Sequence, residues 1–181
     1  QIGKVYDAFL KYLRRTGHEG IFIYVSDHGE HAGYRGYYGK STFYDPSVHI
    51  PMIFAGSGIP KGKRFSGAVS LMDICPTLCE MGGAPLPPKL DGVSLLPQLK
   101  GGPEDKERMV ICEAGGEIRI RTQEFSYGQM VQQGQYKFIH YDGYEEDDIL
   151  FDTKADPDES VNVIAKHGEL AEAMRKRLRE N

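Results

Sequence analysis

A run of five apolar or β-favouring residues, Ile21-Phe22-Ile23-Tyr24-Val25, limits the folds open to this chain more than any other feature. Such a run, without polar alternation, predicts a strand covered on both faces, as in a parallel sheet. Ahead of it, Ile2, Val5, Tyr6, Phe9, Leu10 and Leu13 recur at helical spacing, and Gly17 supplies a C-terminal stop. Helix followed by buried strand is one α/β unit. The polar cluster Ser26-Asp27-His28-Gly29-Glu30 comes directly after the strand. In open α/β sheets ligands bind just beyond the carboxyl ends of strands, so Asp27 and His28 stand where chemistry is expected.

A Gly- and Tyr-rich loop follows from Gly33 to Gly39 and ends in Lys40. Val48 to Ala55 reads as a second strand, placed near an edge by Pro51. A helix is expected from about Asp73 to Met81, with Pro76 in its first turn and Gly82-Gly83 at its end. Gly101-Gly102-Pro103 marks a boundary, which divides the chain into segments 1–103 and 104–181. Beyond it, evenly spaced short strands are expected at Met109–Cys112, Ile118–Arg121, Phe125–Val131, Tyr136–Tyr141 and Ile149–Phe151. They predict a small antiparallel sheet, closed by a helix from Ala165 to Arg179.

Composition removes several classes of function. The 181 residues carry a formal charge of −4, which leaves no basic footprint for nucleic acid. No apolar run approaches the roughly 18–20 residues that cross a bilayer, so no membrane partner is expected. Three cysteines exclude a complete disulfide framework; Cys75 and Cys79 read as small buried residues of the Asp73–Met81 helix. No secretory signal precedes the first helix.

Asp27 and His28 offer a carboxylate oxygen and an imidazole nitrogen, a donor pair suited to a hard or borderline divalent cation. Gly29 allows a bend and a close approach. The same three residues also fit a polar turn with a helix cap. Lys40, in Gly39-Lys40-Ser41-Thr42, superficially matches the end of a nucleotide P-loop, but the glycine required five positions before Gly39 is Tyr34, so that motif is absent. A lysine on such a loop can clamp an anion as a point charge; it can also be an ordinary surface lysine.

The ordered blocks of this chain resemble the type I sulfatases of the alkaline phosphatase superfamily. They are Val25-Ser26-Asp27-His28-Gly29-Glu30, Gly39-Lys40-Ser41-Thr42-Phe43-Tyr44, Val48-His49-Ile50-Pro51-Met52-Ile53-Phe54, Ser70 to Leu78, Asp91 to Pro97, Tyr136-Lys137-Phe138-Ile139, Leu150-Phe151-Asp152, and Asp156-Pro157-Asp158-Glu159 with Asn162. The resemblance implies part of an alkaline-phosphatase-like α/β sandwich over 1–103, then a small C-terminal α+β subdomain over 104–181. It implies Asp27 and His28 as ligands of an active-site Ca2+ or Mg2+, and Lys40 as the catalytic and substrate-binding lysine that contacts sulfate. A sulfated small molecule or glycan would be the substrate, and export from the cytoplasm is the expected location.

The family's nucleophile is a formylglycine made within a Cys/Ser-x-Pro/Ala-x-Arg motif, and no cysteine or serine here meets that pattern. The paired aspartates that complete the metal site have no counterpart either. The chain therefore reads as a C-terminal fragment, inactive by itself, whose partner is the N-terminal half of the same enzyme. The phosphonate or phosphodiester hydrolases and phosphoethanolamine transferases of the superfamily share the Asp-His-Gly-Glu run and stay open as a reading. So does a non-catalytic module that recognises sulfated glycans. Arg35 replaces the histidine found in the family's Gly-x-His-Gly context and reads as a substrate anchor or a surface residue. His31 reads as a neighbour of the site or a solvent-facing side chain, not a ligand. Thr122–Gln135, with Tyr127 and several glutamines, reads as a sugar-binding rim or an exposed hairpin.

Overall fold

The computed structural model describes residues 1–180. In chain order the elements are α1 (Ile2–Thr16), β1 (Ile21–Val25), α2 (Asp45–Val48), β2 (Met52–Gly56), α3 (Ile74–Met81), α4 (Leu96–Leu99), β3 (Met109–Ile118), β4 (Phe125–Gln133), β5 (Tyr136–Tyr141), β6 (Ile149–Asp152) and α5 (Gly168–Arg179). This is a mixed α/β chain, with small antiparallel sheets and a C-terminal helix. No described helix is long and apolar enough to cross a membrane. Two compact units form: residues 1–27, 50–65 and 71–104 make the first, and residues 28–49, 66–70 and 105–180 the second.

In the first unit, α1 ends as expected. Gly17 takes φ 72°, and its N–H donates to the Leu13 carbonyl at 2.9 Å. Tyr6 and Phe9 of α1 meet Phe22 of β1 at ring-centroid distances of 5.2 and 5.8 Å. The strand pairs antiparallel with β2, in a register running from Ile21↔Gly56 to Val25↔Met52. Parallel pairing with burial on both faces does not occur: β1 has this one neighbour among the described residues, and all five of its residues are half-buried. An unbroken apolar run records demand for cover but carries no information about strand direction.

The second expected strand is also shorter. Pro46 occupies the first turn of α2, where a missing N–H costs nothing, so the chain is helical to Val48 and extended only from Met52. Helix α3 buries Asp73, Pro76 and Thr77 on the side that holds the 91–95 turn. Thr77 Oγ1 donates to the Asp73 carbonyl at 2.6 Å and accepts the Leu95 N–H at 2.8 Å, while Asp73 Oδ1 accepts the Val93 N–H at 2.9 Å. A Cβ on Gly92 would lie 2.0 Å from the Met72 carbonyl oxygen, so only glycine fits. That choice of face overturns the expectation for the cysteines. Cys75 is exposed and Cys79 half-buried, both as free thiols.

The second unit is built on the sheet β3-β4-β5-β6, antiparallel throughout. Alternate residues serve opposite faces. Val131, Phe138 and Leu150 pack with Ala171, Met174 and Leu178 of α5. Met130, Ile139, Tyr141, Ile149 and Phe151 pack on the other face with Phe43 and Tyr44, so the 28–49 segment covers it. The separate strand expected at Ile118–Arg121 is the end of β3. The strand passes through a register shift between Gly115 and Glu117, where Gly116 has φ 91°, and the hairpin turns over 119–124. Gly115 and Gly116 thus lie in a bulge within β3.

Candidate active site

Asp27 is exposed, two residues past the end of β1, and closes the first unit; His28 opens the second. The His28 ring is half-buried, and its Nδ1 lies 2.7 Å from the Gly29 carbonyl oxygen. A carbonyl only accepts, so Nδ1 carries a proton in this contact. A backbone carbonyl on one ring nitrogen is the usual means of orienting the other towards a metal. Gly29 is required for packing, not for a bend. Its φ is not positive, a Cβ there would stand 2.0 Å from the Pro46 carbonyl oxygen, and its N–H donates to the Ser47 carbonyl at 2.7 Å.

Glu30 holds the Gly- and Tyr-rich loop shut. Its Oε1 accepts the Ala32 N–H at 3.1 Å and the Gly39 N–H at 2.6 Å, and the His31 N–H donates to the Gly39 carbonyl at 2.9 Å. The amides of Ala32 and Gly39 hold its carboxyl below the ordinary glutamate range. Between the two ends the backbone is left-handed at Ala32, Gly33, Arg35, Gly36 and Gly39. Five such residues in one loop need an external tie, and Glu30 provides it. Glu30→Ala is expected to speed hydrogen exchange of the Ala32 and Gly39 amides roughly tenfold, with the β4–β5 amides unchanged. Unchanged exchange at Gly39 would show that the loop holds its shape by other means.

His31 does not face solvent. It is 3% exposed, with Nε2 at 2.9 Å from Thr42 Oγ1 and its ring among Tyr34, Tyr37 and Tyr44. Burial lowers its pKa, so the neutral ring is favoured. Its Nδ1 has no hydrogen-bond partner among the described residues. Arg35 is exposed but engaged: its NH2 donates to the Asp158 carbonyl at 2.7 Å, and its guanidinium lies 5.0 Å from the Tyr44 ring. Tyr34 donates to the same carbonyl at 2.6 Å, so the pair ties this loop to the turn after β6.

Lys40 follows the loop and is exposed; no carboxylate of the described residues pairs with its ammonium. Its carbonyl accepts the Ser47 hydroxyl at 2.5 Å. The neighbouring Ser41 carbonyl accepts the Ile118 N–H at 2.9 Å, and Gln123 Nε2 lies 2.5 Å from Tyr37 Oη. The tip of the β3–β4 hairpin thus meets the loop that carries Lys40. Phe125 and Tyr127, further along that hairpin, are exposed.

Beneath this segment lies a buried ionic group that no local pattern announced. Lys137, 1% exposed, donates to the Phe43 carbonyl at 3.2 Å, to Glu159 Oε1 at 2.5 Å and to Asp45 Oδ1. Glu159 Oε2 accepts the Asp45 N–H at 2.7 Å, and Asp45 Oδ2 lies 3.1 Å from His49 Nδ1. Burial pushes the Asp45 carboxyl up, but His49 and Lys137 outweigh it and hold it at about 2. Glu159, fully enclosed, is raised by burial despite the ammonium. The pair explains two sequence blocks, around Lys137 and Glu159, whose spacing carried no visible reason.

Among the described residues no three His, Cys, Asp or Glu side chains gather as a cation site. The carboxylate of Asp27 and the imidazole of His28 are donor types that a divalent cation takes.

Comparison with known proteins extends over nearly the whole chain. The family described as N-sulphoglucosamine sulphohydrolase, C-terminal, matches residues 29–181. Arylsulfatase K of Bos taurus is 34% identical over 177 residues, covering 92% of this chain and 32% of that protein. The Delta 4,5-hexuronate-2-O-sulfatase of Bacteroides thetaiotaomicron is 34% identical over 170 residues, covering 90% of this chain and 34% of that protein. The chain thus spans about a third of the length of the curated relatives it matches. The crystal structure of the phosphonate monoester hydrolase of Agrobacterium radiobacter superposes with a TM-score of 0.75 at 25% identity, covering 96% of this chain and 37% of that one. The chain belongs to the type I sulfatase family, and it is the family's C-terminal region that it matches.

Proposed function

We propose that the protein carrying this chain hydrolyses sulfate esters of a sugar, with a 2-O-sulfated hexuronate as the leading substrate class. The identity to a hexuronate-2-O-sulfatase along 90% of the chain supports that class. The observation that carries the site is the common backbone frame of His28–Gly29 and Lys40, with the ring oriented and the ammonium unpaired. In this reading Asp27 and His28 ligate Ca2+ or Mg2+, and a formylglycine outside this chain is the nucleophile. The metal, when bound, supplies Lewis-acid neutralisation of sulfate oxygens. Lys40 holds the sulfate and stabilises the negative charge that grows on its oxygens as the ester bond breaks. Sulfated polymers lie mainly outside the cytoplasm, and the same reading places the enzyme there.

A second reading, phosphonate monoester hydrolysis, is favoured by the backbone likeness to the Agrobacterium radiobacter enzyme. The test is turnover by the full-length protein of a 2-O-sulfated hexuronate disaccharide, 4-nitrophenyl sulfate and a phenyl phosphonate monoester. Sulfate release from the disaccharide at least about 100-fold above phosphonate turnover, in kcat/KM, is expected. Faster phosphonate turnover would transfer the protein to that branch. Saturable binding of the sulfated disaccharide without turnover would make it a recognition module.

A further inference from the structure

Ser47 lies in α2, buried to 3% exposure, and it joins the two candidate segments. Its carbonyl accepts the Gly29 N–H at 2.7 Å, and its hydroxyl donates to the Lys40 carbonyl at 2.5 Å. Its own N–H donates to the Tyr44 carbonyl at 2.8 Å, which fixes the serine within the first turn of α2. Gly29 sits flat against the Pro46–Ser47 peptide, where no Cβ fits. One side chain and one carbonyl, 18 residues from Gly29 and seven from Lys40, therefore link the His28–Gly29 backbone directly to the Lys40 backbone.

We propose that Ser47 is a positioning residue for Lys40. The inference rests on the reading of Lys40 as the sulfate-binding cation. Glu30 and His31 hold the neighbouring Gly39, whereas the Ser47 hydroxyl holds the Lys40 carbonyl itself, and the Ser47 carbonyl holds the Gly29 N–H. A long, unpaired lysine contributes to a transition state only where its ammonium meets the developing charge, and a displacement near 1 Å can cost on the order of 100-fold. Without the hydroxyl, the Lys40 carbonyl loses its donor, and the Lys40 peptide, still anchored at Gly39 by Glu30 and His31, can turn about that anchor.

A double-mutant cycle in the full-length protein separates this role from a general contribution to folding. Ser47→Ala is expected to lower kcat/KM on the sulfated substrate about 30-fold, mostly in kcat. In the Lys40→Ala background the same substitution is expected to cost less than about threefold, because nothing is left to position. Equal losses in both backgrounds, or no loss from Ser47→Ala alone, would overturn the proposal. If Ser47→Ala does not fold, Ser47→Cys, similar in size but a weaker donor, is read in the same cycle with the same criteria. Wild-type turnover by Lys40→Ala would instead remove the reading of Lys40, and the role of Ser47 would fall with it.

Discussion

Asp27→Ala in the full-length protein is expected to reduce sulfate-ester turnover by about 1,000-fold or more, and Lys40→Ala by roughly 100- to 1,000-fold. The two losses should differ in kind. If Asp27 supplies a charged oxygen to a divalent cation, as proposed, its removal weakens metal binding as well as the rate. The Ca2+ or Mg2+ concentration giving half-maximal activity should rise by about 10- to 100-fold, with part of the activity returning at high metal. In the same reading Lys40 touches the anion and not the metal, so Lys40→Ala should leave that metal dependence unchanged at reduced kcat. His28→Gln should behave like Asp27→Ala if His28, as proposed, is the second ligand of the same cation. Activity within threefold of wild type for Asp27→Ala or Lys40→Ala would take that residue out of the site. A metal dependence altered equally by both would show that the assigned division of labour is wrong.

The parts of the fold that were legible in the sequence are those set by local physics. Helix α1 with its glycine stop, the strand Ile21–Val25, helix α3 and the small antiparallel sheet, though not its strand count, follow from periodicity and turn chemistry. What was not legible is set by neighbours in space. The β1 run cannot say whether its partner runs parallel or antiparallel. The apolar stripe of α3 cannot say that Pro76 and Thr77 face inward while Cys75 faces out.

The candidate site divides along the same line. Asp27, His28 and Lys40 were visible because they follow a strand and a glycine loop. Glu30 stood in view but had no assigned role, since its partners Ala32 and Gly39 converge only when the loop closes. Ser47 gave no signal at all: a single serine in an ordinary stretch bridges two segments only in three dimensions. Lys137 is the extreme case. A lysine in a strand reads as a solvated charge, and its carboxylates lie 92 and 22 residues away along the chain.

Lys137→Met is expected to destabilise the second unit by about 3–5 kcal/mol at neutral pH, because it strands two carboxylates without their cation. A fall of roughly 10 °C in the apparent melting temperature would register it. The two acids respond oppositely to pH. Asp45, held at about 2, contributes stability that is present above its ordinary value of 3.8 and is lost as pH falls towards 2. Glu159 is raised by burial, so its contribution is full below 4.5 and lost as pH rises through its folded value. Removing Lys137 lifts Glu159 further, since the ammonium was the main force opposing burial. The deficit of the variant should therefore shrink between pH 7 and pH 5, as Glu159 takes up a proton and stops being a buried charge. Lys137→Met combined with Glu159→Gln should recover part of the loss at pH 7, because a neutral amide oxygen still accepts from the Asp45 N–H. A deficit that stays constant from pH 7 to pH 5, with no recovery in the double variant, would mean that Lys137 stabilises the segment through its aliphatic stem alone. The ionic group would then be a passenger in the packing of Phe43 and Tyr44 against the sheet, and the 28–49 segment would owe its position to those two rings.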